Sequence, residues 1–84
     1  NYPNPFNPVT KISFSLPKES RVKLIIYDIL GREVKRILNN EIKTAGTYTE
    51  EFNGINLSSG VYFLRIIVNE GKEFVDVKKM VLIK

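Results

Sequence analysis

Eighty-four residues with 13 Lys and Arg against 9 Asp and Glu, a net charge of +4, allow one domain with a modest core. The chain contains neither cysteine nor histidine, which excludes disulfides, thiolate metal sites, a cysteine nucleophile, and the commonest zinc ligand and general base. Its basic residues are spread along the chain without a nucleic-acid motif, and no apolar run approaches the ~20 residues of a membrane-spanning helix.

Three of the first eight residues are proline, in Asn1-Tyr2-Pro3-Asn4-Pro5-Phe6-Asn7-Pro8. Proline fixes φ and pushes the preceding residue toward extended geometry, so residues 1–9 read as a stiff, extended lead-in rather than a helix or a central strand. Residues 10–84 read as the β domain that it enters. The first residue is Asn, not Met, so the chain is expected to be a tail or module of a longer protein. A secretory signal would then lie upstream.

The first strand is carried by Ile12, Phe14 and Leu16, which alternate with Lys11, Ser13 and Ser15. Pro17-Lys18-Glu19-Ser20 is a polar turn. The second strand spans Arg21 to Asp28, with Val22, Leu24 and Ile26 inward. Ile25 and Tyr27 stand on its outer face, so that face is expected to be partly covered. Asp28-Ile29-Leu30-Gly31 is a tight turn in which Asp28 accepts a bond from a backbone amide two residues on, and Gly31 adopts the left-handed conformation.

A third strand runs from Arg32 to Leu38. Ile37 breaks the parity of Val34 and Leu38, which marks a bulge or a sheet edge. Residues 39–45 read as a polar loop, with a short edge strand around Ile42. Gly46 to Phe52 is the next strand, with Tyr48, Glu50 and Phe52 on one side. Asn53-Gly54 opens a crossover plugged by Leu57 and closed by Ser58-Ser59-Gly60. Val61 to Val68 gives the strongest strand, with Tyr62, Leu64, Ile66 and Val68 in one stripe. A hairpin turn at Asn69-Glu70-Gly71-Lys72 leads to the last strand, Glu73 to Ile83. Val75 and Val77 match Val81 and Ile83, whereas Phe74 matches Met80 and Leu82, and a bulge near Lys78-Lys79 would reconcile the two sets. The expected fold is all-β: an immunoglobulin-like antiparallel sandwich of two sheets and about seven strands, with a small barrel as the alternative.

Little in this pattern can do chemistry. The carboxylates Asp28, Glu33, Glu50, Glu51 and Asp76 fall on strands and turns that a small filled sandwich cannot open into a glycosidase-type cleft. Glycines 31, 54, 60 and 71 are isolated turn residues, outside any phosphate-binding motif. No catalytic residue, metal, cofactor, nucleic acid or small-molecule substrate is therefore expected.

The order of motifs is more specific. Residues 2–8, Ile12-Ser13-Phe14, Val22 to Val34 with Tyr27-Asp28-Ile29-Leu30-Gly31-Arg32, Ser59-Gly60-Val61-Tyr62 and the terminal Lys79-Met80-Val81-Leu82-Ile83-Lys84 together resemble the type A C-terminal sorting domain of type IX secretion cargo. The resemblance covers the whole chain. That family is similar in fold to the immunoglobulin-like domain of the flagellar hook-capping protein. The resemblance implies a non-catalytic address, covalently part of a larger cargo protein and read by an outer-membrane translocon after export across the inner membrane. It also implies removal by a sortase-like peptidase, and a secreted or cell-surface destination reached through the periplasm. Lys79, Met80, Val81, Leu82, Ile83 and Lys84 would be the recognition element, with Tyr27, Asp28, Gly31, Gly60 and Tyr62 as structural signatures. Glu50 departs from a position that is often apolar in such domains, and nothing in the opening segment announces a cleavage site. The alternative is a structural immunoglobulin-like module: hook-cap-like, a spacer, or a carbohydrate-binding accessory domain, which would show exposed aromatic rings in a row.

Overall fold

Alternation of apolar and polar residues resolves into six antiparallel strands in the computed structural model, which describes residues 9–83. They are β1 (Val9–Leu16), β2 (Ser20–Tyr27), β3 (Glu33–Lys43), β4 (Gly46–Asn53), β5 (Gly60–Val68) and β6 (Phe74–Leu82). β1 and β4 form a two-stranded sheet, and β3-β2-β5-β6 a four-stranded one. The two sheets make the expected immunoglobulin-like sandwich, and the opening proline-rich lead-in lies outside the described residues. Between the sheets lies one core, built from Ile12 and Leu16 of β1, Val22, Leu24 and Ile26 of β2, Phe52 of β4, Tyr62, Leu64 and Val68 of β5, with Leu38 and Leu82. Phe14, Tyr48, Leu57, Ile66 and Met80 pack against it half-buried.

The small sheet shows how one face is kept dry. Ser13 faces Thr49 and Ser15 faces Thr47 across the solvent side, with hydroxyls 3.3 and 3.1 Å apart. On the other side Phe14 stacks on Tyr48 at 5.5 Å between ring centroids, a geometry that adds to plain area burial. Glu50 stands opposite Ile12 on this inner side and is half-buried. β2 is central to the large sheet and buried on both faces. Ile25 is buried as well, and the long stems of Arg36 and Arg65 stand opposite it on the flanking strands.

Two stretches differ from the sequence expectation. Residues 39–43 are not a loop, and the short edge strand expected around Ile42 is the continuation of β3. β3 continues through them to Lys43 and pairs Ile42 with Arg21. The parity break at Ile37 is one of three register shifts between β2 and β3, and Asn40, at φ 60°, lies in another. As the edge of its sheet, β3 accommodates extra residues without disturbing a second partner.

The second difference is in β6, which has no bulge. Its register with β5 is continuous from Val68 opposite Phe74 to Gly60 opposite Leu82. Phe74, Asp76, Lys78, Met80 and Leu82 therefore share the inner face, and Val75, Val77, Lys79 and Val81 the outer one. Val75, Val77 and Val81 coexist with Leu82 because the outer face of this sheet is itself partly apolar, with Phe63 and Ile67 half-buried beside β6. No switch of parity is needed.

Candidate recognition surface

The end of β6 separates its side chains by alternation alone. Leu82 is 5% exposed and in the core, whereas Val81 is 60% and Ile83 65% exposed. Met80 is half-buried on the inner side and Lys79 is exposed on the outer one. Lys84 lies outside the described residues. A cationic group and two bare branched side chains thus line one face of the terminal strand, and the core anchors the other. Leu82 is also a contact on which neighbours depend. An added Cβ at the buried Gly54 would meet the Leu82 methyls at 3.0 and 3.1 Å, so glycine is what lets the crossover approach the terminal strand so closely.

Asp28 and Gly31 close the β2–β3 turn, Tyr27 ends β2, and Gly60 and Tyr62 sit where the crossover enters β5. At the β2–β3 turn the Asp28 carboxylate accepts bonds from the Leu30 and Arg32 amides, both at 2.9 Å, and from the Arg32 guanidinium at 2.8 Å. The Gly31 amide donates to the Asp28 carbonyl at 3.0 Å, and Gly31 itself has φ 80°. The Arg32 amide chiefly, assisted by the Arg32 side chain and the Leu30 amide, holds the Asp28 carboxyl below its ordinary value of 3.8. Next along β3, the Arg36 guanidinium at 2.7 Å lowers the Glu33 carboxyl in the same way.

Where the crossover enters β5 the buried Tyr62 hydroxyl donates to the Ser58 carbonyl at 2.7 Å, four residues upstream. This ties the crossover to the first turn of β5, in the manner of the tyrosine corner of immunoglobulin-like sandwiches. Gly60 opens β5 directly opposite Leu82. Tyr27 is half-buried, on the outer face beside Phe63.

The outer face extends further than the terminal motif. Val75 and Val77 are 43% and 53% exposed, and they join Phe63, Tyr27 and Gly31 in lining one shallow depression between β6 and the β2–β3 turn. The sequence reading did not assign Val75 and Val77 to a candidate surface. Uninterrupted alternation from Ile83 back to Val75 is the signal that identifies them.

The carboxylates considered for chemistry are not assembled into a site. Asp28 closes a turn, Glu33 is paired to Arg36, and Asp76 accepts a bond from the adjacent Val77 amide at 2.9 Å. Glu51 is exposed, on the opposite face of β4 from Glu50. Among the described residues no group of three or more such side chains could hold a metal ion. Tyr62 is buried and Phe63 half-buried, so neither is a bare ring of the kind a carbohydrate-binding surface would display.

Fold and surface together define an immunoglobulin-like β-sandwich whose distinguishing feature is an exposed face on its last strand. The chain matches a family model described as the secretion system C-terminal sorting domain over residues 1–84, and it belongs to that family. Its members are sorting domains rather than enzymes, and membership places the chain in the export of a protein out of the cytoplasm. No curated protein and no solved structure matches the chain.

Proposed function

We propose that this domain is the C-terminal address of a larger cargo protein, read at the outer membrane by the translocon of the type IX machinery, and that the outer face of β6 is what is read. One observation carries the reading: Val81 and Ile83 stand 60% and 65% exposed on either side of the buried Leu82. A partner strand or pocket gains both edge hydrogen bonds and side-chain contacts from branched side chains so displayed. Lys79 and Lys84 flank the pattern in sequence with positive charge, and the exposed Lys79 keeps the edge from pairing indiscriminately before the translocon is met. In this reading the route runs through the periplasm, the partners are the translocon and a sortase-like peptidase that later removes the domain, and the destination is the cell surface or the medium.

The test is a fusion of residues 1–84 to the C-terminus of a reporter that carries its own signal peptide, expressed in a host with type IX machinery. Export of the fusion to the surface or medium, lost when a translocon gene is deleted, supports the reading. Retention of the fusion in the periplasm, while the host's own cargo is exported, contradicts it.

A further inference from the structure

β6 is an edge strand, and among the described residues it is hydrogen-bonded along one side only, to β5. Successive amides of a strand point to opposite sides, and two side-chain bonds fix the phase here. The Arg21 amide donates to Oδ1 of Asn69, the residue after β5, at 2.9 Å, so the odd-numbered amides of β2 point toward β5. Carried through the registers of β2 with β5 and of β5 with β6, this turns residues 74, 76, 78, 80 and 82 toward β5. The amides of Val75, Val77, Lys79 and Val81 then point to the open edge. In agreement, the Val77 amide donates to the carboxylate of the adjacent Asp76 at 2.9 Å.

We infer that this edge recognises itself: two copies of the chain pair β6 with β6, antiparallel about a two-fold axis at Val77, and join their large sheets into one. Charge dictates the register. With the axis at Val77, the inner face sets Asp76 opposite Lys78 of the second copy, Lys78 opposite its Asp76, and Phe74 opposite its Met80. On the outer face Val77 meets its own copy and Val75 meets Lys79. An axis at Asp76, Lys78 or Lys79 would instead set a charge directly opposite its own copy, which is destabilising.

The pairing also employs two features that the single sandwich leaves idle. Phe74 stands on the inner face yet is 51% exposed, and it gains Met80 as an apolar cross-strand neighbour. Asp76 is an inward-pointing charge on an edge strand, a device that discourages pairing with strands in general. In the dimer it gives up the Val77 amide to the facing Val77 carbonyl and turns to the Lys78 ammonium. Along the inner face β6 reads apolar, acidic, basic, apolar, so its antiparallel complement is the same strand reversed. A second copy supplies that by symmetry. Because the sheet grows sideways, Val81 and Ile83 stay bare on its outer face, and the pairing does not depend on the export reading.

Sedimentation of the 84-residue chain over a range of concentrations tests the pairing, with circular dichroism to establish that each variant folds. A concentration-dependent dimer is expected. Asp76→Lys alone and Lys78→Asp alone should each weaken it about tenfold or more, since each turns two opposite-charge pairs into like-charge ones. An equal mixture of the two variants should dimerise again, and so should a chain carrying both changes. On the native chain, which decides the matter if a variant fails to fold, the amides of Val75, Val77 and Lys79 should gain protection from hydrogen exchange as concentration rises. A native chain that stays monomeric at millimolar concentration, or a dimer that leaves those amides unprotected, overturns the proposal. So does a dimer that the single changes leave intact, or one that mixing the two variants does not restore.

Discussion

At the level of single residues, the β2–β3 turn concentrates the testable physics. Gly31 at φ 80° has open space around it, so a side chain there meets backbone strain rather than a clash. Gly31→Val is expected to destabilise the domain by about 1–2 kcal/mol, read by denaturant unfolding. Asp28 makes the same turn depend on pH. Its carboxyl is lowered in the folded protein, so its contribution is fully present above the ordinary carboxyl range and is lost as pH falls through the lowered value. Asp28→Asn removes that linkage. Its unfolding midpoint should fall less steeply between neutral and strongly acid pH than that of the native chain, and parallel slopes would show that the turn carboxylate is not a source of the acid sensitivity. At the crossover, Tyr62→Phe deletes the buried bond to Ser58, with an expected cost of about 1 kcal/mol in the same unfolding measurement.

Among the elements, β6 is the one whose two faces do different work, and the two can be separated by mutation. Leu82→Ala empties a core position packed on Gly54 and should cost about 2–5 kcal/mol. Val81→Ala and Ile83→Ala alter exposed side chains and should stay within about 0.5 kcal/mol of the native domain. Equal costs at 81, 82 and 83 in chemical denaturation would mean that the strand is not divided in this way. The sequence pattern was a good guide wherever a strand buries one face. Ile12, Leu16, Val22, Leu24, Ile26, Tyr62 and Leu64 all fall where period two puts them. It misled at the sheet's two edges, for different reasons. In β3, Asn39 and Asn40 look like loop residues, but an edge strand can take them up as a bulge. In β6, apolar residues of both parities suggested a bulge that does not exist. The sequence of a strand cannot show that the outer face of its own sheet is apolar, because that depends on Phe63 and Ile67 one strand away. Asp28, Gly31 and Gly60 were legible as turn formers, Tyr27 and Tyr62 only as strand residues, and the exposed Val75 and Val77 were not assigned, because an assumed bulge separated them from Val81.

Considered as a whole, the molecule is a small sandwich stabilised by its core and its turns. Its family membership assigns it to secretion, and the proposed reading places recognition on a face that folding does not consume. This division matters for how a translocon could inspect a folded or partly folded tail. A signal made of core residues would be hidden by folding, whereas Lys79, Val81 and Ile83 stay displayed once Leu82 is anchored. The most direct measurement compares reporter fusions ending in the native domain, in the double variant Lys79→Glu with Val81→Asp, and in Leu82→Ala, scoring exported reporter against the unfolding midpoint of each isolated fusion. The account predicts that the double variant unfolds like the native domain yet loses export to the surface or medium. Export of the double variant at the native level, or an export defect in all variants that simply follows their loss of stability, would contradict it.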